Sequence, residues 1–136
     1  MPVAIDRLIP HRAPMQWIDA LIECTDTAAA ASACFDAEHF AVADGSVLET
    51  ALVECVAQTV AAAQAHRAQT RGQSDQADQG MLLAVSGFRL QSRPPVGKPM
   101  QIEVRELRRL GPMLAVSGVV SCAGQPIASG ELTLYA

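Results

Sequence analysis

VLETALVECVAQTVAAAQAHR, residues Val47–Arg67, decides how this chain must fold. The stretch holds no Gly or Pro, and its Ala, Leu, Glu and Gln favour helix strongly enough to outweigh the valines and threonines. A helix of about 20 residues runs roughly 30 Å, the width of a small domain. On its wheel Leu52, Val53, Val56, Val60 and Ala63 share one side. Thr50, Glu54 and Gln58 follow at four-residue steps on the other, flanked by Ala57, Ala61 and Ala65. A water-facing helix shows Lys, Arg and Glu. This one shows alanine around a single carboxylate, so most of its circumference is expected to be covered. Glu54 then needs an account. A buried carboxylate is costly unless paired, hydrogen-bonded or protonated, and the last state is what a general acid near neutral pH requires. The plain alternative places Glu54 at a solvent gap or in a salt bridge.

At 136 residues the chain is expected to form one domain, residues 1–136, with room for a real core. Half the residues are hydrophobic but only 4% are aromatic, so Val, Leu, Ile and Ala must build that core. A net charge of −4 argues against general nucleic-acid binding, though not against a local basic patch. Cys24, Cys34, Cys55 and Cys122 show no C-x-x-C spacing and read as reduced core thiols of a cytoplasmic protein, not as metal ligands or disulfides. The N-terminus lacks a basic start followed by a long apolar run, so no signal peptide is expected. No membrane span is expected either, since the central helix carries Glu49, Glu54 and Gln58.

Upstream of the helix, Ala4–Ile9 is expected to make one helical turn stopped by Pro10, and His11-Arg12-Ala13-Pro14 an irregular corner. Met15–Cys24 and Thr27–Phe35 read as an antiparallel pair of strands, the second resting on position more than on its weak alanine propensity. Asp36–Ser46 is a loop carrying His39, with Asp44-Gly45 as the turn and cap that feed the helix. Downstream, polar Thr70–Gly80 reads as a mobile loop or linker. Four strands follow: Met81–Gln91, Met100–Leu110, Met113–Cys122 and Pro126–Ala136. Alternation of Ile102 and Val104 with Gln101, Glu103 and Arg105 marks the second of them. The expected order is two strands, one long helix, then a four-stranded meander. One helix and one antiparallel sheet bury their apolar faces together only if the sheet wraps the helix, an α+β fold.

This order and its local sequences resemble the hot-dog fold of the 3-hydroxyacyl-(acyl carrier protein) dehydratases, the FabA/FabZ family. Leu8-Ile9-Pro10-His11-Arg12-Ala13-Pro14-Met15 is similar to the family's N-terminal LPHRYPF, and Val53-Glu54-Cys55-Val56-Ala57-Gln58 to its IEALAQ helix motif. Phe88–Gly97, FRLQSRPPVG, is similar to its FKRPVxPG turn. Each motif alone is weak; three in order along nearly the whole chain are specific. Ala43-Asp44-Gly45 followed by ALVECVAQT, Ala51–Thr59, resembles a divergent branch more closely. Its members are dehydratase-like proteins encoded with aryl-polyene or xanthomonadin-type pigment synthesis.

The resemblance implies a hydro-lyase that removes water from a carrier-bound 3-hydroxyacyl thioester. In the family a loop His takes the proton beside the carbonyl, a helix carboxylate from the other subunit serves the hydroxyl, and a backbone N–H at the helix start polarises the carbonyl. Glu54 matches the carboxylate through Glu-x-x-x-Gln, and His39-Phe40 matches the family's His-Phe. Gln58, Phe40 and Thr50 are expected to bind substrate. This sequence departs from the family pattern in the loop. His39 stands one position further from Glu54 than the family spacing, Ala41-Val42 replaces a Pro-Gly, and Leu48-Glu49 replaces the Pro-Gly of the helix start. Glu49 there crowds the thioester and sets negative charge near a developing oxyanion. That suits either a tuned site or a subunit supporting a catalytic partner.

No cofactor is implied, since acid–base chemistry suffices. The implied partners are an acyl carrier protein bearing phosphopantetheine and a second hot-dog subunit, identical or related. Arg89, Arg93, Lys98, Arg105, Arg108 and Arg109 concentrate positive charge in the second half, either as a solvated face or as a docking surface for the acidic carrier. His11 reads as structural and His66 as a helix-end cation. Two other functions stay open: a non-catalytic subunit of a dehydratase heterodimer, and a hot-dog acyl thioesterase using the same carboxylate with water.

Overall fold

The computed structural model describes residues 3–9, 15–72 and 81–135. The expected corner at His11–Pro14 and most of the polar stretch before Met81 lie outside the described residues. Strand β1 (Val3–Ala4) runs into a 3-10 turn, Ile5–Arg7. Then come β2 (Ala20–Cys24), β3 (Ala28–Ala33), the short β4 (Val42–Ala43) and β5 (Ser46–Val47), and helix α1 (Glu49–Thr70). Strands β6 (Met81–Leu90), β7 (Met100–Leu110), β8 (Met113–Cys122) and β9 (Gln125–Tyr135) complete the chain. Among the described residues no helix is long and apolar enough to cross a membrane.

All the pairings are antiparallel, and the seven-stranded sheet has the order β1-β2-β3-β7-β8-β9-β6. The expected four-stranded meander is therefore corrected: β7, β8 and β9 form one, but β6 pairs on the far side of β9. The reason lies in the connection after β6. Val47 N–H donates to Pro94 O at 2.9 Å and Gly97 N–H to Phe35 O at 2.8 Å, so this segment crosses the start of the helix and delivers β7 beside β3.

The sheet wraps α1. Ala29, Ala31 and Ala33 of β3, Ile102 and Val104 of β7, and Leu114, Val116 and Val120 of β8 are buried with Leu52, Val56 and Val60. Small residues allow close approach. A methyl group at Gly118 would lie 2.6 Å from Val56 Cγ1, so glycine there lets the helix settle on the sheet. The helix is anchored near its C-terminal end by Arg67, whose Nε donates to Thr25 O at 2.7 Å in the β2–β3 turn. Most of its circumference is covered, as its composition predicts. The half-open stripe runs through Val53, Glu54, Ala57, Ala61 and Gln64, with Thr50 exposed at its start.

The helix start differs from expectation. Val47 belongs to β5, and Asp44-Gly45, both at positive φ (54° and 79°), form the tight turn of the β4–β5 hairpin without capping the helix. Leu48 is the N-cap residue, with no side-chain cap bond. The first strand is also shorter than Met15–Cys24, because Met15–Ile18 bond to a side chain of α1 instead of to a strand.

Candidate active site on the half-open face of the helix

Gln58 holds the site together. Although it was expected in line with Thr50 and Glu54, eight residues of α-helix rotate a side chain by roughly 80°, and Gln58 turns inward to only 1% exposure. Its Oε1 accepts from the N–H groups of Trp17 (2.9 Å) and Ile18 (3.4 Å). Its Nε2 donates to Met15 O at 2.8 Å and to Glu54 Oε2 at 3.3 Å. Both amide hydrogens and the carbonyl oxygen are thus used, which fixes the orientation of the amide and meets the requirement on a buried polar group. Glu54 is half-buried on the open stripe with an N–H donor fixing one oxygen. It is not sealed among alanines as the composition of the helix implied.

Trp17 extends the clamp to the loop. Its backbone is held by Gln58, and its ring packs edge-on against Phe35 (6.0 Å between centroids), His39 (5.8 Å) and Phe40 (5.8 Å). His39 stacks on Phe40 at 5.0 Å and 14°, and meets Phe35 edge-on at 4.8 Å. Phe40 is 59% exposed and His39 half-buried. The structure therefore joins Glu54 directly to Gln58 and His39 directly to Phe40, and Trp17 links the two pairs. Thr50 is exposed, one turn before Glu54, beside exposed Glu49.

The imidazole is bonded in a way that bears on its chemistry. Ala41 N–H donates to His39 Nδ1 at 3.0 Å. A neutral imidazole carries one N–H and one bare nitrogen, so Nδ1 is the bare one and the proton sits on Nε2. The alternative tautomer would set one N–H against another and leave the amide of buried Ala41 unbonded, at a cost of about 1–3 kcal/mol.

Other groups near the site escaped the sequence reading. Burial pushes the Asp19 carboxyl up, opposed by a hydrogen bond from the backbone of Cys34. Burial also pushes the Cys55 thiol far up, with further contributions from the Glu54 and Asp19 carboxylates, which places both within electrostatic range of one thiol. Arg93, expected among docking cations, is committed to the hairpin: Nε donates to Val47 O at 2.9 Å, and a terminal nitrogen to Ala43 O at 2.9 Å and Ser46 O at 3.2 Å. Trp17, as the sole tryptophan beside the N-terminal motif, carried a usable signal; Arg93 and Asp19 carried none. Of the cysteines, expected as core thiols, Cys55 is buried, Cys24 and Cys122 are half-buried and Cys34 is exposed; all four are free. Among the described residues no group of three or more His, Cys, Asp or Glu is arranged to hold a metal ion. A groove of about 250 Å³ lies elsewhere, over Ala28 and Ala30 between Glu23 and Glu103, and contains none of the expected site residues.

Comparison with known proteins bears on both the fold and the site. Comparison with curated proteins gives no match. Among solved structures, a chain of the dehydratase heterocomplex ApeI:P from Xenorhabdus doucetiae superposes with a TM-score of 0.89 at 25% identity, covering 98% of this chain and 90% of that one. AziG from S. sahachiroi follows at 0.66 and 15% identity, covering 87% of this chain and 89% of its own. Zebra fish thioesterase superfamily member 2 reaches 0.65 at 12% identity, covering 88% and 80% respectively. The last two share the fold alone, and that fold is the hot-dog: one antiparallel sheet around a long central helix. The ApeP-like family model, described as ApeP dehydratase, matches residues 3–136, and the chain belongs to that family of dehydratases.

Proposed function

We propose that this chain is a subunit of a dehydratase that removes water from a 3-hydroxyacyl thioester held on an acyl carrier protein, with Glu54 as the group that exchanges a proton with the substrate. The observation that carries this reading is the fixed Glu54 carboxylate, held by buried Gln58 on the half-open stripe of α1. In the reaction a base of the assembled site takes the C2 proton, the electrons of the C2–H bond form the C2=C3 double bond, and the C3 hydroxyl leaves as water with the proton that Glu54 supplies. Glu54, in its protonated form, gives the hydroxyl the proton it needs to depart, a task that general acids perform for about 10²–10⁴-fold in rate. No cofactor takes part in these steps.

A second hot-dog chain belongs in this reading, as in the ApeI:P heterocomplex that the fold resembles. Its place is supported by β6, which pairs only with β9 among the described residues and exposes side chains on both faces. The acidic carrier has a basic contact near the aromatic cluster. Lys98 is exposed, and its neighbour Gly97 is bonded to Phe35. The pigment-associated branch is the natural setting for such an enzyme.

The test is to incubate the chain with a 3-hydroxyacyl carrier protein, alone and with an ApeI homologue, and to follow the acyl group by mass spectrometry. The enoyl thioester is expected with the second chain present and is lost by 10²-fold or more in E54Q. Glutamine at this position still accepts from Gln58, so the fold should persist. Free acid in place of enoyl product identifies a thioesterase. Undiminished turnover by E54Q removes Glu54 from its role.

A further inference from the structure

We propose that His39 is a positioning residue that sets the start of α1, and that it does not take the proton from the substrate; this rests on the dehydratase reading above. A base needs a bare nitrogen facing its substrate. In His39 the bare nitrogen is Nδ1, and it is occupied by Ala41 N–H at 3.0 Å. To offer a bare Nε2 the ring would have to carry its proton on Nδ1, against the Ala41 amide. Turning the ring over keeps its stack on Phe40 but sets a carbon where Nδ1 stood, which leaves the Ala41 amide unbonded.

The same bond has a constructive role. Asp36 O accepts from His39 N–H at 3.2 Å, and His39 O accepts from Val42 N–H at 3.0 Å. Ala41, held by the imidazole, uses its own carbonyl to accept from Leu48 N–H at 2.8 Å, and Leu48 is the N-cap residue of α1. The path His39 Nδ1, Ala41, Leu48 thus connects the imidazole to the helix entrance through backbone groups. It satisfies the N–H of the N-cap residue itself, one of the donors that a helix start leaves open. The Ala41-Val42 dipeptide, standing where the family places Pro-Gly, makes this possible, because proline at position 41 has no N–H to donate. The base of the reaction is then a different group, one brought by the second chain, which takes the C2 proton while Glu54 serves the leaving hydroxyl.

Two measurements test this. In protein labelled with ¹⁵N-histidine, the His39 resonances should show the bonded hydrogen on Nε2 and a bare Nδ1 at neutral pH; a proton on Nδ1 overturns the assignment. That result is independent of whether the chain dehydrates anything. In the complex with the second chain, His39→Asn should recover most of the turnover that His39→Ala loses. Asparagine Oδ1 accepts from an N–H two residues on, yet has no basic nitrogen. A His39→Asn complex that is folded but down by 10²-fold or more, like His39→Ala, would restore His39 as the base. If the wild-type complex forms no enoyl product, the dehydratase reading fails while the tautomer result stands.

Discussion

Gln58 Nε2 donates to Glu54 Oε2 at 3.3 Å, and the same side chain holds the backbone of Met15, Trp17 and Ile18, some forty positions earlier in the chain. One buried amide therefore fixes both the Glu54 carboxylate and the segment that brings Trp17 to the aromatic cluster. Replacing Gln58 by Leu keeps much of the volume but leaves two backbone N–H groups and a carbonyl without their partner. An unsatisfied buried group costs about 1–3 kcal/mol, so Gln58→Leu should lower stability by about 2 kcal/mol or more. Below the melting transition it should also lower turnover, because Glu54 loses its fixed donor. Circular dichroism melts and steady-state assays read the two effects separately. A variant as stable as the wild type would show that Met15–Ile18 is held by other contacts.

The backbone layout was legible in the sequence wherever local periodicity carries the information. The alternation in β7 places Ile102 and Val104 inward and Gln101, Glu103 and Arg105 outward, and the structure agrees. The Gly- and Pro-free run predicted α1 to within a few residues. Pairing partners were a different matter. Nothing local in MLLAVSGFRL says that β6 joins β9 and not β7, because the decision is made by the Pro94–Gly97 segment crossing the helix start. For the candidate site, the Glu-x-x-x-Gln spacing singles out Glu54 and Gln58, but nothing in it shows the inward turn of Gln58. A helical wheel shows angular position and cannot show which distant segment covers it. Arg93 was misread for the same reason. An arginine in a turn looks like surface charge until three backbone carbonyls converge on it.

Asp19 is expected to make stability depend modestly on pH, because the residue is exposed and its carboxyl only partly desolvated. Burial raises its carboxyl above the ordinary value of 3.8, with the Cys34 backbone opposing. The folded state therefore binds its proton more tightly than the unfolded chain does, and stability falls as pH rises from the unfolded value through the folded one. Above that window the penalty is constant; below the unfolded value it vanishes. Asp19→Asn should then melt higher than the wild type at neutral pH, and the gap should close at pH 3. Thermal melts across this range give the answer, and a gap that is flat with pH would show that the carboxyl titrates as it does in the unfolded chain.

The outer edge of β6, which no strand pairs among the described residues, is where a second chain is expected to join. Leu82 and Val85 are 37% and 45% exposed on a ten-residue strand whose described pairing is all on the β9 side. Val85 pairs with Leu132, whose other neighbour is Val116 of β8, so the exposed valine is backed by buried residues of the sheet. A long apolar edge left open invites another strand, and a lysine on such an edge is a common way for proteins to forbid it. Val85→Lys should leave the circular dichroism spectrum of the chain unchanged, since the side chain is already half in water. It should weaken association, with itself or with an ApeI homologue, by about tenfold or more, the loss expected when one hot-spot contact worth about 1.4 kcal/mol is removed. Sedimentation velocity over a concentration series measures it directly. Association that is unmoved by Val85→Lys would place the interface on another surface, the half-open stripe of α1 being the next to test.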